Sequence, residues 1–199
     1  MVSFIEQNIS LVWLVFSIIW LVAAFASKRS TQRQTYRSRI VQGSLILVSM
    51  LFIFNFWNVF SSSNGGGISG WLTARIVPAT PLWALLGAAL TVASVLFCFW
   101  ARAILGRNWS GTVTIKQDHE LILRGPYAFV RHPIYTGVLF GMLGTAIVFG
   151  YVRCFIGVLI CGFALWFKSQ IEERFMVQQF GDQYASYRQR VRALVPFVL

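Results

Sequence analysis

Long apolar stretches separated by short polar intervals set the pattern of this chain. Ile9 to Ala26 contains no charged residue, and further apolar runs span Ile40 to Phe60, Pro78 to Trp100, Ile134 to Gly150 and Val152 to Phe167. Each is close to the ~20 residues a helix needs to cross a bilayer. The pattern predicts an all-α, polytopic membrane protein with about five transmembrane helices. Ser61-Ser62-Ser63-Asn64-Gly65-Gly66-Gly67 between the second and third runs reads as a loop. Only Tyr151 and Arg153 mark the break between the last two runs, which are predicted to form a tight helical hairpin. Ala24-Phe25-Ala26 resembles a leader cleavage site. However, Glu6 precedes the first run and the basic cluster follows it, the reverse of a secretory leader, so this run is expected to remain as a helix.

Charge adds orientation to this picture. The 199 residues carry 17 Lys and Arg against 6 Asp and Glu, a net charge of +11. In a soluble chain that excess would point to nucleic acid. With 57% hydrophobic and 12% charged residues, against about 25% charged in soluble domains, a membrane is the expected partner and nucleic acid is not. Lys28, Arg29, Arg33, Arg37 and Arg39 lie between runs one and two; Arg102, Arg107, Lys116, Arg124 and Arg131 lie between three and four. Lys168, Arg174, Arg188, Arg190 and Arg192 lie in the tail, leaving Arg75 and Arg153 for the opposite side. The positive-inside rule then puts the N-terminus outside and the C-terminus in the cytoplasm, as an odd number of spans requires.

Five of the six acidic residues (Asp118, Glu120, Glu172, Glu173, Asp182) and both histidines, His119 and His132, follow Trp100 on that cytoplasmic side. Pro133 suits the first turn of the fourth helix. Arg131 and His132 would therefore sit at a helix N-terminus, where an anion is favoured; snorkelling to lipid phosphates is the plainer role for the same residues. Glu172 and Glu173 at the mouth of the fifth helix are either solvated or hold a cation. Gly181 is a candidate helix C-cap and Asp182 an N-cap, giving two short helices joined by a bend. Tyr184 and Tyr187, three apart, read as packing or interface anchors. Cys98, Cys154 and Cys161 form no C-x-x-C pair and read as small packing residues. Zinc-ligand spacings, a P-loop and a G-x-S-x-G elbow are all missing, and His119 and His132 lack a third strong ligand nearby, so no metal is expected.

The ordered residues carry a resemblance. His119-x-Leu121-x-x-x-Gly125-x-Tyr127-x-x-x-Arg131-His132-Pro133-x-Tyr135-x-Gly137 is similar to the cofactor motif of the isoprenylcysteine carboxyl methyltransferases, within the wider membrane phospholipid methyltransferases. A second block also resembles that family: Glu172-Glu173, then Phe180-Gly181-x-x-Tyr184-x-x-Tyr187-x-x-x-Val191 with Pro196. The match covers about residues 108–197 and is closest in style to the shorter, prokaryote-like members. It divides the chain into three N-terminal spans over 1–107 and a cofactor-binding, catalytic half over 108–199.

The resemblance implies an S-adenosylmethionine-dependent methyltransferase with a cytoplasmic cofactor pocket. Its implied lining is His119, Glu120, Leu121 and Ile122, the ring of Tyr127, the run Arg131, His132, Pro133, Ile134 and Tyr135, and Glu172. Lys168 stands where the family has an arginine for the substrate carboxylate; it keeps the charge but not the bidentate fork. Methyl transfer depends on in-line positioning. A carboxylate acceptor is already ionised at neutral pH, whereas an amine or thiol needs a base, for which Glu173 is the nearest candidate. The acceptor is expected to be amphipathic: a prenylated cysteine carboxylate, a phospholipid or other lipid amine, or another isoprenoid head group. Two other readings compete. One is a non-catalytic five-span scaffold; the other is a sterol-reductase-like enzyme using a nicotinamide cofactor, for which the chain is short.

Overall fold

Five apolar helices follow the five apolar runs. The computed structural model describes residues 1–25, 30–33, 36–54, 68–106, 114–116 and 121–195. The order is α1 (Val2–Phe25), β1 (Ser30–Arg33), α2 (Tyr36–Phe54), α3 (Ile68–Leu72), α4 (Pro81–Leu105), β2 (Thr114–Lys116), a 3₁₀ turn at Gly125–Ala128, α5 (Pro133–Phe149), α6 (Val152–Phe180) and α7 (Asp182–Arg190). Three segments are long and apolar enough to cross a membrane: Val2–Ala23, Pro81–Leu105 and Val152–Phe180. Ile40–Phe54 and Pro133–Phe149 are apolar but shorter. At about 1.5 Å per residue, the 17 residues of α5 extend about 26 Å. Leu21, Leu82, Leu96 and Leu159 are among many large apolar side chains left more than half exposed. A surface of that kind suits hydrocarbon rather than water. The chain is a polytopic membrane protein, all-helical among the described residues but for one short ribbon.

That ribbon, like the short helix α3, is an element the pattern did not predict. β1 pairs antiparallel with β2, Ser30 opposite Lys116 and Arg33 opposite Thr114, with an irregularity between Ser30 and Gln32. It joins the segment after α1 to the segment after α4, so two of the three basic stretches meet at one end of the bundle. At the other end Glu6 forms an ion pair with Arg75. The Tyr151 ring lies between the guanidinium groups of Arg75, 5.2 Å from its centroid, and Arg153, 4.9 Å from it. The two basic residues assigned to the opposite side thus flank one aromatic ring at the α5–α6 turn. Gly150 makes that turn with φ +72°, which a β-carbon disfavours, and closes the predicted hairpin.

Small residues draw α4 against α5. A β-carbon built on Gly144 would meet the Gly87 carbonyl oxygen at 2.6 Å and Thr91 Oγ1 at 2.6 Å, so the two backbones touch. Close approach through small residues is how helices associate where lipid removes the hydrophobic drive. Polar side chains in this seam are satisfied internally, as a hydrocarbon setting demands. Trp13 Nε1 donates to Thr145 Oγ1 at 2.9 Å, and Thr91 Oγ1 donates to the Gly141 carbonyl at 3.2 Å. Trp13, Ile53, Met142, Cys161 and Leu165 form the apolar core between α1, α2, α5 and α6. The three cysteines are free and buried, in packing positions. Arg153 reaches across to α2 and donates to the carbonyls of Phe52 and Ile53 at 2.7 and 2.9 Å.

The C-terminal part corrects one expectation. The bend falls at Gly181 (φ +51°), as read from sequence, but the segment before it is no separate short helix. α6 continues unbroken for 29 residues to Phe180, because Lys168 to Phe180 ends the apolar run without a helix breaker. Asp182 is the first residue of α7, and Gly181 takes the N-cap.

Candidate functional site

The site is built where the loop before α5, the polar extension of α6 and the C-terminal tail converge. The 3₁₀ turn at Gly125–Ala128 buries Tyr127. Val130 then pairs with Arg192 in a parallel bridge. The Arg131 amide donates to the Arg192 carbonyl at 2.8 Å, and the His132 amide to the Ala193 carbonyl at 3.0 Å. Thr136 Oγ1 fixes the next residue of the tail, donating to the Leu194 carbonyl at 2.6 Å. α7 adds a further tie: Tyr187, buried against Tyr184, donates its hydroxyl to the Tyr127 carbonyl. Both tyrosines pack, as their spacing suggested.

His132 is the N-cap residue of α5 and Pro133 its first residue, as expected of a proline that lacks an N–H. From α6, Lys168, Glu172 and Glu173 project into the same space at spacings of four and five residues. His132 Nδ1 lies 3.3 Å from Glu172 Oε2, and its Nε2 lies 3.4 Å from Glu173 Oε1. A neutral imidazole donates from one nitrogen only, so two facing carboxylates favour the doubly protonated ring. Burial alone would lower the His132 pKa, but hydrogen bonds and charge from Glu172 and Glu173 outweigh it and hold it above its ordinary value. Tyr135, one turn on, donates its hydroxyl to Glu172 Oε1 and stacks on His132 with centroids 5.4 Å apart and planes 3° apart. Lys168 Nζ sits 5.1 Å from the centroid of the Tyr135 ring. Burial, then the nearby Glu172 charge, push the Tyr127 hydroxyl up, so it stays protonated.

Glu173 and Arg131 form the second half of the cluster. Glu173 Oε1 accepts from Arg131 Nε at 2.8 Å and Nη2 at 2.5 Å, with side chains 4% and 9% exposed. Its Oε2 takes Arg188 Nε at 3.1 Å. Arg131 Nη1 also donates to the carbonyls of Val191 and Arg188. Arg131 therefore holds α6, α7 and the tail together. Glu172, by contrast, keeps a side chain 21% exposed.

Among the residues singled out from sequence, Lys168, Glu172, Glu173, Arg131, His132 and Tyr135 meet directly. Tyr127 joins through Tyr187, and Pro133 and Ile134 lie in the first turn of α5, where Cys98 Sγ approaches the Ile134 carbonyl at 3.5 Å. Leu121 and Ile122 are half-buried ahead of the 3₁₀ turn. His119 and Glu120 lie outside the described residues. Sequence reasoning missed Arg188, Thr136 and the backbone of residues 192–194. Only the position of Arg188, directly after Tyr187 in the family-like block, hinted at its part.

The part of this geometry between Tyr127 and Glu173 falls inside a recognisable sequence unit. A family model described as phospholipid methyltransferase matches residues 82–183, from the start of α4 to the start of α7. The chain belongs to the phospholipid methyltransferase family. Among individual proteins, it is 37% identical over 99 residues to the protein-S-isoprenylcysteine O-methyltransferase of Schizosaccharomyces pombe, covering 47% of this chain and 41% of that one. It is 34% identical over 99 residues to protein-S-isoprenylcysteine O-methyltransferase B of Arabidopsis thaliana, covering 47% and 49% respectively. This family member thus matches less than half the length of either relative. Its fold is similar to the solved structure of a eukaryotic intramembrane Ras methyltransferase, isoprenylcysteine carboxyl methyltransferase. The TM-score is 0.51 at 22% identity, over 83% of this chain and 54% of that one. The family resemblance read from the two motif blocks is borne out.

Proposed function

We propose that this chain is an integral membrane methyltransferase that takes its methyl group from S-adenosylmethionine. In this reading it esterifies the carboxylate of an isoprenylcysteine-like or other lipidic acceptor. The observation that carries the proposal is the meeting of the α5 N-terminus with Lys168 and Glu172 of α6, inside the segment the family model matches. The residues suit the donor's chemistry. Glu172 is a partly exposed carboxylate suited to an ammonium group, and His132 with the first amides of α5 suits a carboxylate. Tyr135 and Tyr127 offer aromatic surface, where a cation is favoured by about 0.5–2 kcal/mol.

S-adenosylmethionine supplies an electrophilic methyl on a sulfonium. The protein's part is to bind, orient and keep water out. Lys168, held over the Tyr135 ring, is positioned to receive the acceptor carboxylate as a point charge. An ionised carboxylate has no proton to give up, so the reaction requires no base. Glu173, enclosed by Arg131, Arg188 and His132, then serves to position His132 rather than to take a proton. We assign this site, with the C-terminus, to the cytoplasmic side and the N-terminus to the outside. The ribbon gathering two basic stretches at the site's end supports that orientation.

The test is calorimetric titration of S-adenosylhomocysteine into the detergent-purified chain, followed by transfer of labelled methyl to an N-blocked, prenylated cysteine. Saturable binding and a base-labile labelled product are expected, because a methyl ester hydrolyses in alkali. A base-stable product formed instead on a phospholipid amine would replace the ester reading with amine methylation, which the family description favours as second choice. No binding of S-adenosylhomocysteine to folded protein would overturn the proposal.

A further inference from the structure

Beside this site, and sharing Arg131 and Arg188 with it, α7 and the tail border an open cleft of about 420 Å³, lined by Arg131, Ala185, Arg188, Gln189, Arg192 and Ala193. Three of its six lining residues are arginines, and among the described residues the carboxylate paired with them is Glu173. Glu173 fixes two of the three: Arg131 on Oε1 and Arg188, with Nε at 3.1 Å, on Oε2. Arg131 is consumed by that carboxylate and by two backbone carbonyls. The Nη groups of Arg188 and the whole guanidinium of Arg192 have no acceptor among the described residues, and both side chains are exposed. The cleft therefore has a walled, preorganised cation, two guanidinium groups with unspent donors, and the neutral amide of Gln189.

We propose that this cleft binds a phosphate group, carried by an anionic phospholipid or by a soluble phosphoester. A phosphate has oxygens enough to accept from two guanidinium forks at once, the geometry arginine matches best. Its negative charge offsets the excess left after Glu173 neutralises one of the three arginines. The cleft shares its end of the bundle with the basic stretches, which draw anionic headgroups to a membrane surface. This inference does not rest on the methyltransferase reading.

The experiment uses the full chain in neutral detergent. Dansyl-labelled phosphatidylglycerol is titrated in and followed by energy transfer from the chain's 8 tryptophans. Saturable binding is expected. Arg192→Gln should weaken it about tenfold, as befits the loss of charge-assisted hydrogen bonds. Arg190→Gln should weaken it less than twofold: it removes the same charge from an exposed residue outside the cleft that donates to the Ser186 carbonyl. Unchanged thermal unfolding in both variants establishes that each is folded. Displacement by millimolar glycerol phosphate assigns the site to phosphate as such; resistance to it assigns the site to a lipid headgroup. Equal weakening by the two substitutions would reduce the effect to diffuse surface charge and overturn the proposal. Displacement by S-adenosylhomocysteine would merge the cleft with the donor pocket and overturn it too.

Discussion

Replacing Glu173 by Gln is the perturbation that most sharply separates a catalytic from a positioning role. The amide keeps the shape but removes the charge facing Arg131, whose side chain is 9% exposed. Breaking a buried ion pair by neutralising one partner costs about 3–5 kcal/mol, because the other charge is left uncompensated. The arm to Arg188 adds little, since that side chain is 47% exposed and such pairs contribute about 0–1 kcal/mol. Gln retains an acceptor for Arg131, so the lower limit, about 3 kcal/mol, is expected. At about 2–4 °C per kcal/mol for a chain of this size, the unfolding midpoint should fall by about 6–12 °C. The assay is thermal unfolding in detergent of wild type, Glu173→Gln, Arg131→Gln and the double variant. The double variant should be more stable than the sum of the single losses predicts, with a coupling of about 1–3 kcal/mol. Below its midpoint, Glu173→Gln should keep most of its methyl-transfer rate towards a carboxylate acceptor. Wild-type stability with abolished turnover would refute the reasoning and restore Glu173 as a base.

Three other outcomes are expected. Glu172→Gln should weaken S-adenosylhomocysteine binding by at least about tenfold in calorimetry, with a midpoint within a few degrees of wild type, because Glu172 is partly exposed. Since the folded His132 pKa is raised, the stability it contributes should be full below its unfolded value, about pH 6.5, and be lost as pH rises through the raised folded value; His132→Asn should flatten that slope in unfolding midpoints followed from pH 6 to 9. Gly144→Ala should destabilise by about 1–3 kcal/mol, because its β-carbon meets backbone that cannot yield, whereas Gly43→Ala, with open space around it, should be neutral or slightly stabilising. Equal midpoints for these two glycine variants would show that α4 and α5 do not touch.

How far the fold was readable depended on which force shapes each part. Burial in lipid acts on every residue of a span, so the runs around Pro81–Leu105 and Val152–Phe167 announced their helices, and Tyr151 with Arg153 the break between the last two. The continuation of α6 to Phe180 was hidden, because helix propensity persists after hydropathy stops. The ribbon was hidden for another reason. Ser30-Thr31-Gln32-Arg33 has no alternation of apolar and polar residues, and its pairing depends on a partner more than eighty residues away. At the site, Glu172 and Glu173 were legible as carboxylates at the mouth of the last apolar run, Lys168 through the family resemblance, and His132 as a helix start. That Arg131 joins Glu173 and the tail carbonyls was not legible: the linear pattern gives no sign of a contact 60 residues distant with a backbone group.

The docking of residues 192–194 onto residues 130–132 has a consequence for synthesis. Translation runs at about 5–20 residues per second, so Arg131 is added to the chain roughly 3–12 s before Val191 is. For most of that interval α5 is complete, but the Val191 and Arg192 carbonyls that accept from Arg131 have not yet been made. The cluster around Arg131 therefore closes only after residues 191–193 have been added, well after α5 is made. Ribosomes stalled before Leu194 would carry chains in which Thr136 still lacks its tail carbonyl.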